Sequence, residues 1–251
     1  MKAILFDVKR CRGCMKCVSA CGVANGLTEA DSKACFARER LSERRFTTVS
    51  VTDEGRFLRR QCLHCLEPSC ESACLVGALR KTEEGPVLYD SSKCIGCRYC
   101  MLACPFEVPR YEWDTNHPYV VKCQMCADRE GGPACVAACP YDASMYGDRD
   151  DLIAVARERI ASGPGDYLPH IWGEHDAGGT CVLFVSDVDL GRYWPKSLGD
   201  RSVPEITWPV MAKTPFVFFG VAGVLSAVSF IIHRRERLRR ERAEGGANDA
   251  A

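Results

Sequence analysis

An excess charge of either sign is missing from this chain. Its 251 residues carry 33 Lys and Arg against 33 Asp and Glu, so no global field steers it toward nucleic acid. An N-terminal apolar h-region is missing too. The chain opens MKAILFDVKRC without a twin arginine, and the expectation is that it has no export signal of its own. No nucleophile–base pair, flavin fingerprint or nicotinamide fingerprint is present. Gly178-Gly179 has neither a GxGxxG pattern nor a strand–helix context, so it is no phosphate loop. Two-electron substrate chemistry is therefore not expected of the chain itself. Apolar content is modest as well, roughly 40% once the thiols are set aside.

What the chain has instead is cysteine, 18 residues of it, with 13 Pro and 21 Gly, which reads as a compact, loop-rich, stapled fold. Disulfides suit short secreted scaffolds, and neither the length nor the opening fits one. The spacing is more specific. Cys11, Cys14, Cys17 and Cys21 form CxxCxxCxxxC, and Cys62, Cys65, Cys70 and Cys74 form CxxCxxxxCxxxC. Cys94, Cys97, Cys100 and Cys104 repeat the first pattern before Pro105, and Cys123, Cys126, Cys135 and Cys139 form CxxCx8CxxxC before Pro140. Three thiolates at i, i+3 and i+6 can each cap a different iron of a cuboidal cluster, whose fourth iron takes a ligand from elsewhere. Zinc needs four ligands on one small ion, usually two well-separated CxxC knuckles, and remains the weaker alternative. Sixteen ligands suffice for four 4Fe–4S clusters, which leaves Cys35 and Cys181 over. Closed clusters have no open position for substrate; what they can do is carry single electrons.

The stretch from Cys62 to Cys104 looks like a complete two-cluster ferredoxin. Residues 78–81, a turn at Glu84-Gly85 and residues 87–89 read as a hairpin between its halves. Ferredoxin-type crossing assigns Cys62, Cys65, Cys70 and Cys104 to one cluster and Cys74, Cys94, Cys97 and Cys100 to its neighbour. By the same rule the outer tetrads pair as Cys11, Cys14, Cys17 with Cys139, and Cys21 with Cys123, Cys126 and Cys135. The expected fold is α+β, two interleaved bacterial-type ferredoxin units with loop-rich connections, plus a C-terminal transmembrane helix.

The tetrad order, KCIGCRYCMLACPFEVP (93–109) and YDASMYGDRDDL (141–152) resemble the four-cluster electron-transfer subunits of membrane-bound oxidoreductases. These are the beta subunits of formate dehydrogenases and molybdenum reductases, and the ferredoxin-like subunits of uptake nickel–iron hydrogenases. LPHIWGEHDAGGTCVLFVSDV (168–188) is similar to the segment that follows the clusters in members with a C-terminal membrane anchor, and to subunits of multihaem-cytochrome complexes. The resemblance departs from the pattern at Leu75 and Gly22, where proline is common after the last cysteine. It implies a non-catalytic electron-transfer subunit between two partners. One is a catalytic hydrogenase or dehydrogenase, or a multihaem cytochrome, and the other is a polytopic quinone-reactive membrane subunit. A cytoplasm-facing polyferredoxin serving a soluble dehydrogenase or hydrogenase is the alternative.

The expected organisation is a cluster domain over 1–150, with an inner unit at 62–104 and an outer one formed by 11–21 with 123–139. A helix, strand and connector over 151–209 follow, then a membrane helix at 210–233 and a basic, disordered tail at 234–251. Phe216–Ile232 is uncharged for 17 residues, within reach of a hydrocarbon core of roughly 30 Å. Six arginines lie between Arg234 and Arg242, against Arg201 and Lys213 in the 15 residues before Phe216. The positive-inside rule then puts the tail in the cytoplasm and the clusters on the periplasmic face of the inner membrane. Export as a passenger on a signal-bearing partner reconciles that orientation with the leaderless start. Cys181 reads as a buried inert thiol, His64 as a loop hydrogen-bonder, His233 as an interfacial side chain, and Lys122 as either a solvated lysine or a cluster neighbour.

Overall fold

β1 (Lys2–Asp7) explains much of the architecture, because its run Ala3-Ile4-Leu5-Phe6 is apolar without alternation. Such a strand is stable only when covered on both faces. It occupies the centre of a three-stranded sheet in the order β8-β1-β9. β8 (Ser144–Asp148) runs antiparallel to it, with Lys2 opposite Asp148 and Phe6 opposite Ser144. β9 (Val182–Val185) runs parallel, with Ile4 opposite Val182 and Asp7 opposite Val185. α5 (Arg149–Ser162) packs on this sheet through Leu152, Ile153 and Ala156. Asp7 is fully buried at the end of β1; Arg159 Nη1 donates to it at 2.8 Å and the Tyr167 hydroxyl at 2.9 Å. The structure is a computed structural model that describes residues 1–27, 41–113, 119–163, 165–195 and 197–248, with side chains to residue 240. Cys35 lies outside the described residues.

The cysteine-bearing segments hang on this sheet as loops and very short helices. α1 (Lys16–Ala24) packs against α4 (Ala134–Ala137), and α2 (Ser69–Ser72) against α3 (Tyr99–Ala103). Among the described residues three antiparallel strand pairs tie the loops: β2 (Thr48–Val51) with β3 (Phe57–Arg60), β4 (Leu79–Lys81) with β5 (Val87–Tyr89), and β6 (Arg110–Tyr111) with β7 (Val120–Val121). The β4–β5 hairpin falls where the sequence places it, around Glu84-Gly85. Lys2 N–H donates to the Glu84 carbonyl at 2.6 Å, and a Cβ on Gly85 would stand 2.3 Å from the Lys2 carbonyl oxygen. The closest approach of turn and sheet therefore leaves no room for a side chain.

Residues 1–204 form one compact unit, and residues from 205 onward form a second. All but the first two residues of α6 (Val203–Asn248) belong to the latter; α6 is one helix of 46 residues, about 69 Å long at 1.5 Å per residue. Its 18-residue apolar window has a mean hydropathy of 2.2 and is entirely unburied, so the helix is long and apolar enough to cross a membrane. Two sequence expectations differ from this. The helix begins inside the expected extended connector, because Pro204 falls in its first turn, where an N–H has no intrahelical partner to lose. Pro209 and Pro215 lie within the helix, and just ahead of the second the Thr214 hydroxyl donates to the Val210 carbonyl at 3.0 Å. The stretch expected as a disordered tail continues as helix to Asn248. Arg, Glu, Leu and Ala are strong helix formers, and extending a formed helix requires no new nucleus.

Candidate iron–sulfur site

Each CxxC loop turns in the same way. The residue just before the second cysteine has positive φ in all four: Gly13 at 64°, His64 at 49°, Gly96 at 69° and Met125 at 59°. That left-handed step turns a backbone amide back toward the first sulfur. Gly96 N–H points to Cys94 Sγ at 3.4 Å, and Met125 N–H to Cys123 Sγ at 3.3 Å. Further donors reach other sulfurs: Ala78 N–H to Cys74 Sγ at 3.2 Å, Val108 N–H to Cys104 Sγ at 3.5 Å, and Asn25 Nδ2 to Cys21 Sγ at 3.6 Å. Donors aimed at sulfur favour its anionic form, which is the form that binds iron.

The folded chain gathers thiols that lie far apart in sequence. Cys11, Cys14, Cys17 and Cys139 line one cavity. Cys21, Cys123, Cys126 and Cys135 line a separate one. In the inner region, burial pushes the Cys65 thiol up, and the nearby thiols of Cys62, Cys104 and Cys70 push it further. Burial first, then Cys94, Cys74 and Cys97, raises Cys100 to about 11. Burial is also the main cause of the rise to about 11 for Cys17 and to about 12 for Cys21 and Cys70. Thiols packed this closely cannot all ionise without a cation dispersing their charge. Among the described residues no three His, Cys, Asp or Glu side chains stand close enough to share one metal ion. The thiols instead stand apart around a shared pocket, and that donor chemistry fits a cuboidal cluster with one thiolate per iron.

The other singled-out residues divide. His64 is fully buried and accepts a hydrogen bond from Val87 N–H at Nδ1, 2.9 Å away, holding hairpin and loop together as expected. Burial first, then Lys122 and Lys81, drives its pKa well below the ordinary histidine value. Lys122 is not the solvated lysine of one reading. It is buried and donates to the Val87 carbonyl and, at 3.0 Å, to that of Cys123. Cys181 is fully buried and meets Lys81 Nζ at 3.2 Å. Sequence reasoning missed Lys81, Gln61 and above all Arg59, a fully buried cation. Nothing in Phe57-Leu58-Arg59-Arg60 tells which arginine turns inward. It also missed the role of the Leu168–Val188 stretch, which straps the second tetrad: Leu66 N–H donates to the Gly179 carbonyl at 3.0 Å, and Cys181 N–H to that of Leu63 at 3.1 Å.

Thiol-lined cavities furnished with N–H donors define the class, an iron–sulfur protein of ferredoxin type. A family of that description, the 4Fe-4S dicluster domain, matches residues 54–149. A protein of Nitratidesulfovibrio vulgaris (strain Hildenborough) is 38% identical over 248 residues, covering 93% of this chain and 67% of its own. Hydrogenase-2 operon protein HybA of Escherichia coli O157:H7 is 32% identical over 247 residues, 79% of this chain and 75% of its own. The iron–sulfur subunit of nitrate-inducible formate dehydrogenase of Escherichia coli strain K12 is 32% identical over 199 residues, 73% of this chain and 67% of its own. The chain belongs to this family of 4Fe–4S iron–sulfur proteins, the family of HybA and the formate dehydrogenase iron–sulfur subunits.

Proposed function

We propose that the chain is the electron-wire subunit of a membrane-bound respiratory oxidoreductase and carries single electrons through four 4Fe–4S clusters. The observation that carries this reading is the pair of cavities, one lined by Cys11, Cys14, Cys17 and Cys139 and the other by Cys21, Cys123, Cys126 and Cys135. Each mixes the first tetrad with the fourth, as two interleaved ferredoxin units require. The inner sets are then Cys62, Cys65, Cys70 with Cys104, and Cys74 with Cys94, Cys97 and Cys100. Bound clusters supply one-electron carriers at four successive positions. The chain's own residues hold the sulfurs in place and donate N–H groups to them. Potentials follow from those hydrogen bonds, from burial and from nearby charge.

Kinship with HybA and with formate dehydrogenase subunits supports a hydrogenase or dehydrogenase catalytic subunit as one partner. The apolar part of α6 supports a membrane anchor, with a quinone-reactive membrane subunit as the other partner. Six arginines beyond the apolar stretch favour a cytoplasmic C-terminus and periplasmic clusters. Protein purified without oxygen should hold about sixteen iron and sixteen sulfide per chain, four of each per cluster. Tightly bound zinc instead, or half that iron, refutes the four-cluster reading.

A further inference from the structure

Arg59 has an incomplete set of partners. It is 1% exposed on β3, and its guanidinium lies 4.9 Å from the centre of the Phe6 ring. Nη1 donates to the Ser144 hydroxyl at 2.8 Å, while Nε and Nη2 find no hydrogen-bond partner. Among the described residues no carboxylate pairs with it, and the thiols of Cys135, Cys17, Cys123, Cys139, Cys11 and Cys21 interact with its charge. A buried guanidinium without a counter-ion costs far more than one hydroxyl hydrogen bond returns. The side chain lines the cavity of Cys11, Cys14, Cys17 and Cys139, and two of the thiols it faces, Cys123 and Cys135, line the other outer cavity.

We propose that Arg59 is the internal counter-ion of the two outer clusters, a positioning residue whose free Nε and Nη2 hydrogens donate to cluster sulfur and raise the outer potentials. The inference rests on the four-cluster reading. Each outer set brings four thiolates, so a bound cluster supplies the anion that the cavity otherwise lacks. The charge is fixed because a guanidinium does not deprotonate in a protein. Positive charge beside a cluster favours its reduced, more negative state. The inner sets have their own cationic neighbours, the half-buried Lys81 and the buried Lys122, which pull the Cys65 and Cys70 thiols respectively toward the anionic form. Removing Arg59 should leave the inner pair unmoved.

The test is a paramagnetic-resonance redox titration of the intact complex carrying Arg59→Gln or Arg59→Lys. In Arg59→Gln the outer potentials should fall by at least tenfold in the reduction equilibrium, about 59 mV for one electron. Arg59→Lys should restore most of that fall, and the inner signals should stay put. If the Gln variant loses its outer clusters, unsubstituted protein labelled with guanidino-15N arginine decides the matter. Hyperfine spectra of the reduced outer clusters should show coupling to the label, lost in Arg59→Lys and kept in Arg12→Lys, since Arg12 lines the same cavity. Full iron with unmoved outer potentials, or no 15N coupling, overturns the proposal and leaves the four-cluster reading standing. It would mean that the guanidinium is hydrated from the other cavity that it lines, of about 40 Å³, beside Leu58, Gln61, Phe106 and Trp194. Low iron in the unsubstituted protein overturns the four-cluster reading itself.

Discussion

Substituting Cys21 by serine separates crossed from local ligation. Cys21 lies on α1, four residues after Cys17, and a local reading puts both on the same cluster. In the fold they part: Cys17 lines one cavity, while Cys21 faces the other with Cys123, Cys126 and Cys135. Serine nearly matches cysteine in size but is a poor iron ligand, so only the second cavity should lose its content. That is about four of some sixteen iron, leaving about twelve, with visible absorbance down by about a quarter. Asn25 Nδ2 still reaches the Cys21 carbonyl at 2.8 Å, so the end of α1 keeps its cap. The assay is iron and sulfide analysis joined to paramagnetic resonance, with Cys126→Ser as the matched control. The two variants should lack the same signal. Loss of the signal that Cys11→Ser removes, with the Cys126 signal intact, would refute crossed ligation.

Three further outcomes can be measured. Leu183→Ala empties a fully buried position on β9, beside β1, and should cost about 2–5 kcal/mol, seen as a lower unfolding midpoint with unchanged cluster spectra before unfolding. Gly85→Ala places a methyl 2.3 Å from the Lys2 carbonyl oxygen at a backbone φ of 123°. It should destabilise by about 1–3 kcal/mol, and an unchanged midpoint would show that the hairpin can lift off β1 freely. Protease added to intact spheroplasts should degrade the cluster domain and spare an epitope placed after Ala251. The reverse pattern would make the chain a cytoplasm-facing polyferredoxin. Each arginine carried to the centre of a membrane costs about 2.5–3.5 kcal/mol, and six in a cluster oppose that topology.

The sequence by itself determined the chemistry. Thiols at i, i+3 and i+6 name their own cofactor, because few other structures use three ligands so close together on one chain. It also determined the β4–β5 hairpin, from turn residues between apolar runs, and the apolar helix, from a neutral stretch that ends in arginines. These signals are local, readable within a few residues or one helix. Tertiary structure decided what local spacing does not encode. The passage of α6 through Pro209 and Pro215 depends on a helix formed on both sides of each proline. The inward turn of Arg59 rather than Arg60 follows from the seating of β3, and the strapping of the second tetrad by residues near Gly179 depends on β9 pairing parallel to β1. Sharing a cavity between Cys21 and Cys135 requires two helices 110 residues apart in sequence to pack together, and only the folded chain closes that distance.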